Sequence, residues 1–340
     1  MALATYLIIL AVILILGYFI KRYTNGPLNP LNKDLTGKLI IITGASDGLG
    51  LEIAKNLLKS NASVVFACRN KTKTENIINN LPEKSKKNAT FEQIDLESFK
   101  SIENFVKQIK SKYPKIDVLI NNAGLVYGLH KTEEGFVNVY QINYLAHCLL
   151  TLLLLDHFNE KESKVINISS IAYKFSNWTC EDVKYLNNGD LMFNDYNYRW
   201  SGDGILYCDT KLLIIYFTKY LASLFEQKYP HIKAVCLHPG IIYTKIFKPK
   251  NKLQDLFMYI MFKTVYYIFT KDIFHGVQTQ LYLTHCDNKD LASGAYYNTL
   301  KVEKYIRRAK DDEIKKVMVN ETLNILKSKY KELESFPLCE

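Results

Sequence analysis

Tyr207 and Lys211 stand four residues apart in ILYCDTKLLIIYFTKYLA (residues 205–222), where apolar residues recur at helical spacing. On a helix that spacing stacks the two polar side chains one turn apart on the same face. A phenol beside an ammonium is suited to proton transfer. The positive charge favours phenolate and lowers the tyrosine pKa from about 10 toward the working range. Such pairs also occur in helices that carry no chemistry, so the surrounding elements have to decide.

Those elements alternate strand and helix. Residues 38–43, KLIIIT, form a largely apolar run of strand length, as expected for a strand buried on both faces. Gly44, Ser46, Asp47, Gly48, Leu49 and Gly50 follow, and a helix is predicted over about residues 51–60. A glycine turn between strand and helix brings backbone N–H groups close to a ligand at a helix N-terminus, where a pyrophosphate is stabilised. A tight turn with no ligand would use the same glycines. A second strand, residues 62–68, ends before Arg69. At that place an acid accepts from a ribose 2′-hydroxyl and a cation suits a 2′-phosphate, so NADP(H) is preferred and NAD(H) remains possible.

Four more strands are predicted, each followed by residues able to line a ligand edge. Residues 90–95 end at Asp95 and Leu96. Residues 116–120 run into Asn121, Asn122, Ala123 and Gly124. Residues 163–169 end at Ser169 and Ser170. Residues 232–237 lead to His238, Pro239 and Gly240, with Thr244 beyond. A last strand is predicted near 294–298. A long helix over about 135–155 contains Asn143, a poor helix-interior residue, which suggests that it holds a backbone carbonyl or a water. The order implies an α/β fold, a doubly wound Rossmann-type parallel sheet of about seven strands with helices on both faces.

Residues 2–20 contain no charge. At 1.5 Å per residue they reach about 28 Å, close to the hydrocarbon thickness of a bilayer. A cleavable signal peptide is the competing reading, but no basic segment precedes the run and no small-x-small site follows it. Lys21 and Arg22 come next, which places the globular part on the cytoplasmic side. An endoplasmic-reticulum or related internal membrane is expected. The partition is residues 1–22 anchor, 23–36 linker, 37–300 catalytic domain and 301–340 C-terminal helical extension, with a substrate lid at about 241–275. Within that lid, residues 253–269 are strongly apolar and aromatic. They suit a pocket or lid, an interfacial surface, or plain core. A further helix is predicted over 274–284 and a charged amphipathic helix over 302–331.

The chain has 340 residues and a net charge of +10. Its lysines are scattered, with no basic stripe of interleaved aromatics, so nucleic acid is not an expected partner. The seven cysteines form no C-x-x-C pair and read as reduced, with no zinc or other metal site.

Taken together, TGASDGLG, ACRN, Asp95, NNAG, Asn143, the serine pair, Y-x-x-x-K and the His-Pro-Gly turn resemble, in order, the short-chain dehydrogenase/reductase family. The resemblance covers residues 36–300. Within the family the anchor, ACRN and the long segment before Tyr207 are most similar to the retinol-dehydrogenase-like branch. FTKDIFHGVQTQLYL and GAYYN also resemble the oxidoreductase domain of WW-domain oxidoreductases, although no WW domain is present.

The resemblance implies that Tyr207 is the acid/base, that Lys211 depresses its pKa and holds the nicotinamide ribose, and that Ser170 binds the substrate oxygen. It implies that Asn143 anchors a water in a proton relay. Gly44, Ser46, Asp47, Gly48, Leu49 and Gly50 would hold the pyrophosphate and Arg69 the 2′-phosphate. Asp95 and Leu96 would meet the adenine. Asn122, Ala123, Gly124, Pro239, Gly240 and Thr244 would complete the cofactor contacts. The expected activity is interconversion of a lipophilic alcohol and its aldehyde or ketone, of retinoid, steroid or fatty type, with a homodimer possible. An NAD-dependent alcohol dehydrogenase and a non-catalytic cofactor-binding scaffold are the alternatives. Asp47 stands where some NADP-using members carry a base.

Overall fold

Apolar β-branched runs with no polar face can only be satisfied between two layers, and that is where the strands lie. A computed structural model describes residues 2–126, 128–186, 188, 204–242 and 266–340. Among these, eight strands form one sheet in the order β3-β2-β1-β4-β5-β6-β7-β8. They are β1 Leu39–Thr43, β2 Ser63–Cys68, β3 Ala89–Gln93, β4 Val118–Asn121, β5 Ser163–Ile168, β6 Ile232–His238, β7 Tyr296–Asn298 and β8 Lys301–Glu303. The first seven are parallel, and β8 turns back antiparallel on β7.

The expected count of about seven strands is therefore corrected to eight. β8, KVE, is short, charged and largely exposed, so no hydrophobic pattern marked it. Residues 302–303, expected in a helix, belong to this strand.

One core lies on each face. Before β1 comes α1, Ala2–Asn25. On one side of the sheet α2, Gly48–Lys59, buries Ile53, Leu57 and Leu58. α3, Lys71–Asn79, follows β2 and is N-capped by Asn70. On the other side α4, Phe99–Lys112, packs beside a long helical run. That run begins as an α-turn at Asn138–Tyr140, opens into a π-helical turn at Gln141–Leu145 and continues as α5, Ala146–Leu154. α6, Gly204–Lys228, is the helix that carries Tyr207 and Lys211.

The helix expected over 274–284 is two pieces, α7 Ile273–Gly276 and α8 Gln278–His285. α9, Asp312–Lys329, begins at the cap Asp311. Its inner face joins the core: Met318, Val319, Leu323 and Leu326 are buried, and Thr322 Oγ1 lies 3.0 Å from the Tyr144 hydroxyl.

Two described helices are long and apolar enough to cross a membrane. The stretch Asn138–His157 is wholly buried, so it is core, whereas none of the apolar window of α1 is buried. The expected linker joins the fold more closely than its polar composition suggested. Asn29 N–H donates to Gln278 Oε1 at 2.9 Å, and Leu35 N–H donates to the Ser60 carbonyl at 2.8 Å. Strand order reverses between β1 and β4, which opens a crevice at the carboxyl ends of these strands.

Candidate active site

The β1–α2 turn owes its glycines to close approach. A Cβ on Gly50 would stand 2.5 Å from the Gly44 carbonyl oxygen and 2.6 Å from Asn122 Nδ2. A Cβ on Gly44, whose φ is +69°, would meet Ala123 at 3.1 Å. Gly48 differs, because its φ of +51° demands glycine while a Cβ would meet nothing within 4 Å. The turn therefore presents an open backbone face at the start of a twelve-residue helix, a fit for a pyrophosphate. Asp47 caps this helix, accepting from Gly48 N–H at 2.8 Å, and its other oxygen takes Lys73 at 2.8 Å.

The end of β2 presents Arg69, exposed and within 3.9 Å of Asp95 and 3.7 Å of Glu97. Asp95 lies two residues past β3, its N–H donating to Ser101 Oγ at 2.8 Å. Leu96 is buried, and its carbonyl accepts from Gln141 Nε2 at 3.3 Å. Each cation on this rim thus already faces a carboxylate.

Thr43 ties the first strand to the fourth. Its hydroxyl oxygen accepts from Asn122 N–H at 2.9 Å and Ala123 N–H at 3.0 Å, while Asn122 Nδ2 donates to the Thr43 carbonyl at 2.9 Å. The same hydroxyl lies 3.0 Å from His147 Nε2. The π-helical turn explains the asparagine in the helix. Asn143 Oδ1 accepts from Leu125 N–H at 2.8 Å, and its Nδ2 donates to the Leu125 carbonyl at 2.9 Å and to Thr210 Oγ1 at 3.3 Å. It joins the chain after β4 to α6. A Cβ on Gly124 would stand 3.2 Å from Asn143 Oδ1 and 3.8 Å from Lys211 Nζ, so these groups converge.

Ser170 stands just past β5, its Oγ accepting from Ala172 N–H at 3.2 Å and lying near enough to the Tyr207 phenol to draw its pKa down. Its neighbour Ser169 serves structure, donating to the Lys211 carbonyl at 2.8 Å. His238 fixes the next residue, its Nδ1 accepting from Ile171 N–H at 3.2 Å. Burial pushes this imidazole down to about 4, which keeps it neutral and able to accept.

Lys211 is buried, donates to the Ile168 carbonyl at 2.9 Å and lies 5.3 Å from the centroid of the Tyr207 ring. Burial lowers the ammonium to about 7. Burial also pushes the Tyr207 phenol up to about 12, against the smaller opposing effect of Ser170. This reverses the expected direction for the tyrosine. Desolvation of the phenolate is the largest cause, and Lys211, 5.3 Å from the ring centroid, does not offset it.

Gly240 has a φ of +103° and is crossed by the Lys271 side chain. Thr244, and residues 243–265 of the expected lid, lie outside the described residues. Sequence reasoning did not single out Thr43, His147 or Lys271. Their roles depend on partners far away in the chain, and no local pattern marks them. The assembled group, a hydroxyl, a phenol and an ammonium beside an open glycine turn, can pass a proton to or from a substrate oxygen held next to a dinucleotide.

A family model described as short chain dehydrogenase matches residues 38–180. Retinol dehydrogenase 13 of Homo sapiens is 30% identical over 300 residues, which span 87% of this chain and 86% of that protein. A Mycobacterium paratuberculosis protein of known structure superposes with a TM-score of 0.66 at 23% identity, covering 89% of this chain and 98% of its own. An Escherichia coli protein solved with NADPH gives 0.57 at 19% identity, covering 80% and 100%.

Proposed function

The chain belongs to the short-chain dehydrogenase/reductase family, and on that premise we propose that it is a membrane-anchored, NADP(H)-dependent oxidoreductase. Its substrate is a lipophilic alcohol or the corresponding aldehyde or ketone. The observation that carries this reading is the meeting of Ser170, Tyr207, Lys211 and Asn143 at the sheet edge that also holds the glycine turn. Ser170 positions the substrate oxygen, and Tyr207 gives it a proton. A phenol pushed up to about 12 stays protonated at neutral pH and is ready to donate, which suits carbonyl reduction. Lys211 holds the ribose side of the site, and Asn143 keeps the β4 end in register with α6. A bound nicotinamide dinucleotide would supply the hydride, with the turn from Gly44 to Gly50 on its pyrophosphate.

The retinol dehydrogenase relative supports the lipophilic substrate. The solved NADPH complex, together with Arg69 at the end of β2, supports NADP(H). An NAD(H)-dependent reading is favoured by one observation, the carboxylates of Asp95 and Glu97 that already engage Arg69. We read α1 as the anchor of a cytoplasm-facing domain on an internal membrane, because Lys21 and Arg22 follow its apolar run.

The test is NADPH consumption by the full chain in detergent micelles with a long-chain aldehyde. Tyr207→Phe should lower turnover by about 10²- to 10⁴-fold while NADPH affinity stays unchanged. Turnover unaffected by that substitution would refute the mechanism.

A further inference from the structure

α1 touches the domain near its C-terminal end, at Gly17 and Lys21. Gly17 makes room for Ile268, whose Cδ1 lies 3.4 Å from where a Cβ would stand. One turn on, the Lys21 ammonium donates to the carbonyls of Tyr267 at 2.9 Å and Thr270 at 2.6 Å. It also lies 4.1 Å from the centroid of the Tyr267 ring. Past the helix end, Gly26 lies against Thr299 and Lys271, and Lys271 crosses Gly240 at the carboxyl end of β6. The helix is thereby fixed at the same sheet edge as Ser170, Tyr207 and the glycine turn.

A depth follows from these contacts. Gly17 lies inside the charge-free run that ends at Ile20. Three residues of helix rise about 5 Å, so any chain level with Gly17 lies about that far inside the apolar boundary of a bilayer that α1 spans. At that level lies the Ile268 side chain, and next to it in the chain the Tyr267 and Thr270 carbonyls are held at Lys21. Tyr267, Phe269, Phe274 and Ile241 expose 53%, 57%, 47% and 51% of their surface, and Ile273 is exposed beside them. An apolar cluster of this kind facing water is unusual. Irregular backbone at membrane depth needs internal donors because lipid offers none, and Lys21 supplies one to two of these carbonyls.

We propose that Ile241, Tyr267, Phe269, Ile273 and Phe274 form a second membrane contact, seated in the headgroup–acyl boundary beside α1, so that the substrate edge of the sheet faces lipid. This rests on the reading of α1 as a membrane anchor. The patch is joined to the site. Lys271 N–H donates to the Ile241 carbonyl at 2.8 Å, and Gly276 packs against Ile242 and against Leu49 of the glycine turn. A lipophilic substrate then reaches Tyr207 sideways from the bilayer.

Tryptophan reporters in the full chain test this, with the protein reconstituted into phosphatidylcholine vesicles brominated on their acyl chains. Phe269→Trp and Phe274→Trp report on the patch. Leu14→Trp reports on α1. Leu338→Trp reports on a remote exposed site, beside the Pro337 carbonyl that accepts from the Tyr220 hydroxyl on the far part of α6. Quenching is measured against the wild-type chain with its native tryptophans. The expected result is quenching at 269 and 274 at least about half that at 14 and several-fold above that at 338. Quenching at 14 with none at 269 and 274 overturns the proposal and leaves the anchor standing. Absence of quenching at 14 overturns both.

Discussion

Thr43→Val removes one oxygen from the base of the site and leaves the volume nearly unchanged. In the native chain that oxygen accepts from two backbone N–H groups, of Asn122 and Ala123, and pairs with His147 Nε2. The hydroxyl proton goes to the imidazole, because its other acceptor, the Ile120 carbonyl, is 3.5 Å away. His147 Nδ1 then donates to the Asn143 carbonyl at 3.3 Å. Valine leaves two donors and one acceptor without partners. Each unsatisfied buried group costs about 1–3 kcal/mol, and the two amides lie where water reaches them in part, so the sum is roughly 3 kcal/mol. Thr43→Ser keeps the oxygen and loses one methyl, about 1 kcal/mol. The Asn122–Ala123 segment packs against Gly44, so loosening it should also weaken NADPH binding by about tenfold, or 1.4 kcal/mol. The assay is urea unfolding of the full chain in detergent micelles, with fluorescence titration of NADPH alongside. A valine variant within about 0.5 kcal/mol of the serine variant would refute the reasoning.

Gly50→Ala forces a Cβ to within 2.5 Å of the Gly44 carbonyl oxygen, so the turn must open, and NADPH affinity should fall at least tenfold, about 1.4 kcal/mol, in an equilibrium titration. Arg69→Ala should cost about tenfold or more in NADPH affinity and leave NADH affinity unchanged; equal affinities in the wild type would contradict the NADP(H) reading. His147 and His238 are both lowered to about 4 from an ordinary 6.5 by burial. The unfolded chain therefore binds more protons between these values. Stability is fully present above about pH 6.5 and falls as pH drops toward 4, by on the order of 3 kcal/mol for each histidine. Melting temperatures that stay flat across that window would remove both assignments.

The parallel sheet was legible because its strands are continuous apolar runs, LIIIT in β1 and SVVFAC in β2, that no solvent-facing strand would carry. The glycine turn and the Tyr207–Lys211 pair were legible because their spacing is local. Ser170 could be told from Ser169 only through the family resemblance, and contacts now separate them, since Ser169 spends its hydroxyl on the Lys211 carbonyl. Thr43 looked like the last residue of a strand and nothing more, because its partners lie about eighty and a hundred positions away. The direction of the Tyr207 shift was misread for a related reason. A charge four residues away is visible in a sequence, but the enclosure of a phenol is not.

The π-helical turn at Gln141–Leu145 makes the placement of Asn143 a matter of counting. A turn of this kind holds one residue more than an ordinary helical turn. If one residue of that turn were deleted, the run would relax to a plain α-helix, and the flanking stretches would keep their faces because the turn had absorbed the extra residue. His147 would stay at Thr43, while Asn143, inside the turn, would lose its place opposite Leu125 though no residue that bonds had changed. The length of this turn, as much as the identity of its residues, therefore sets the site.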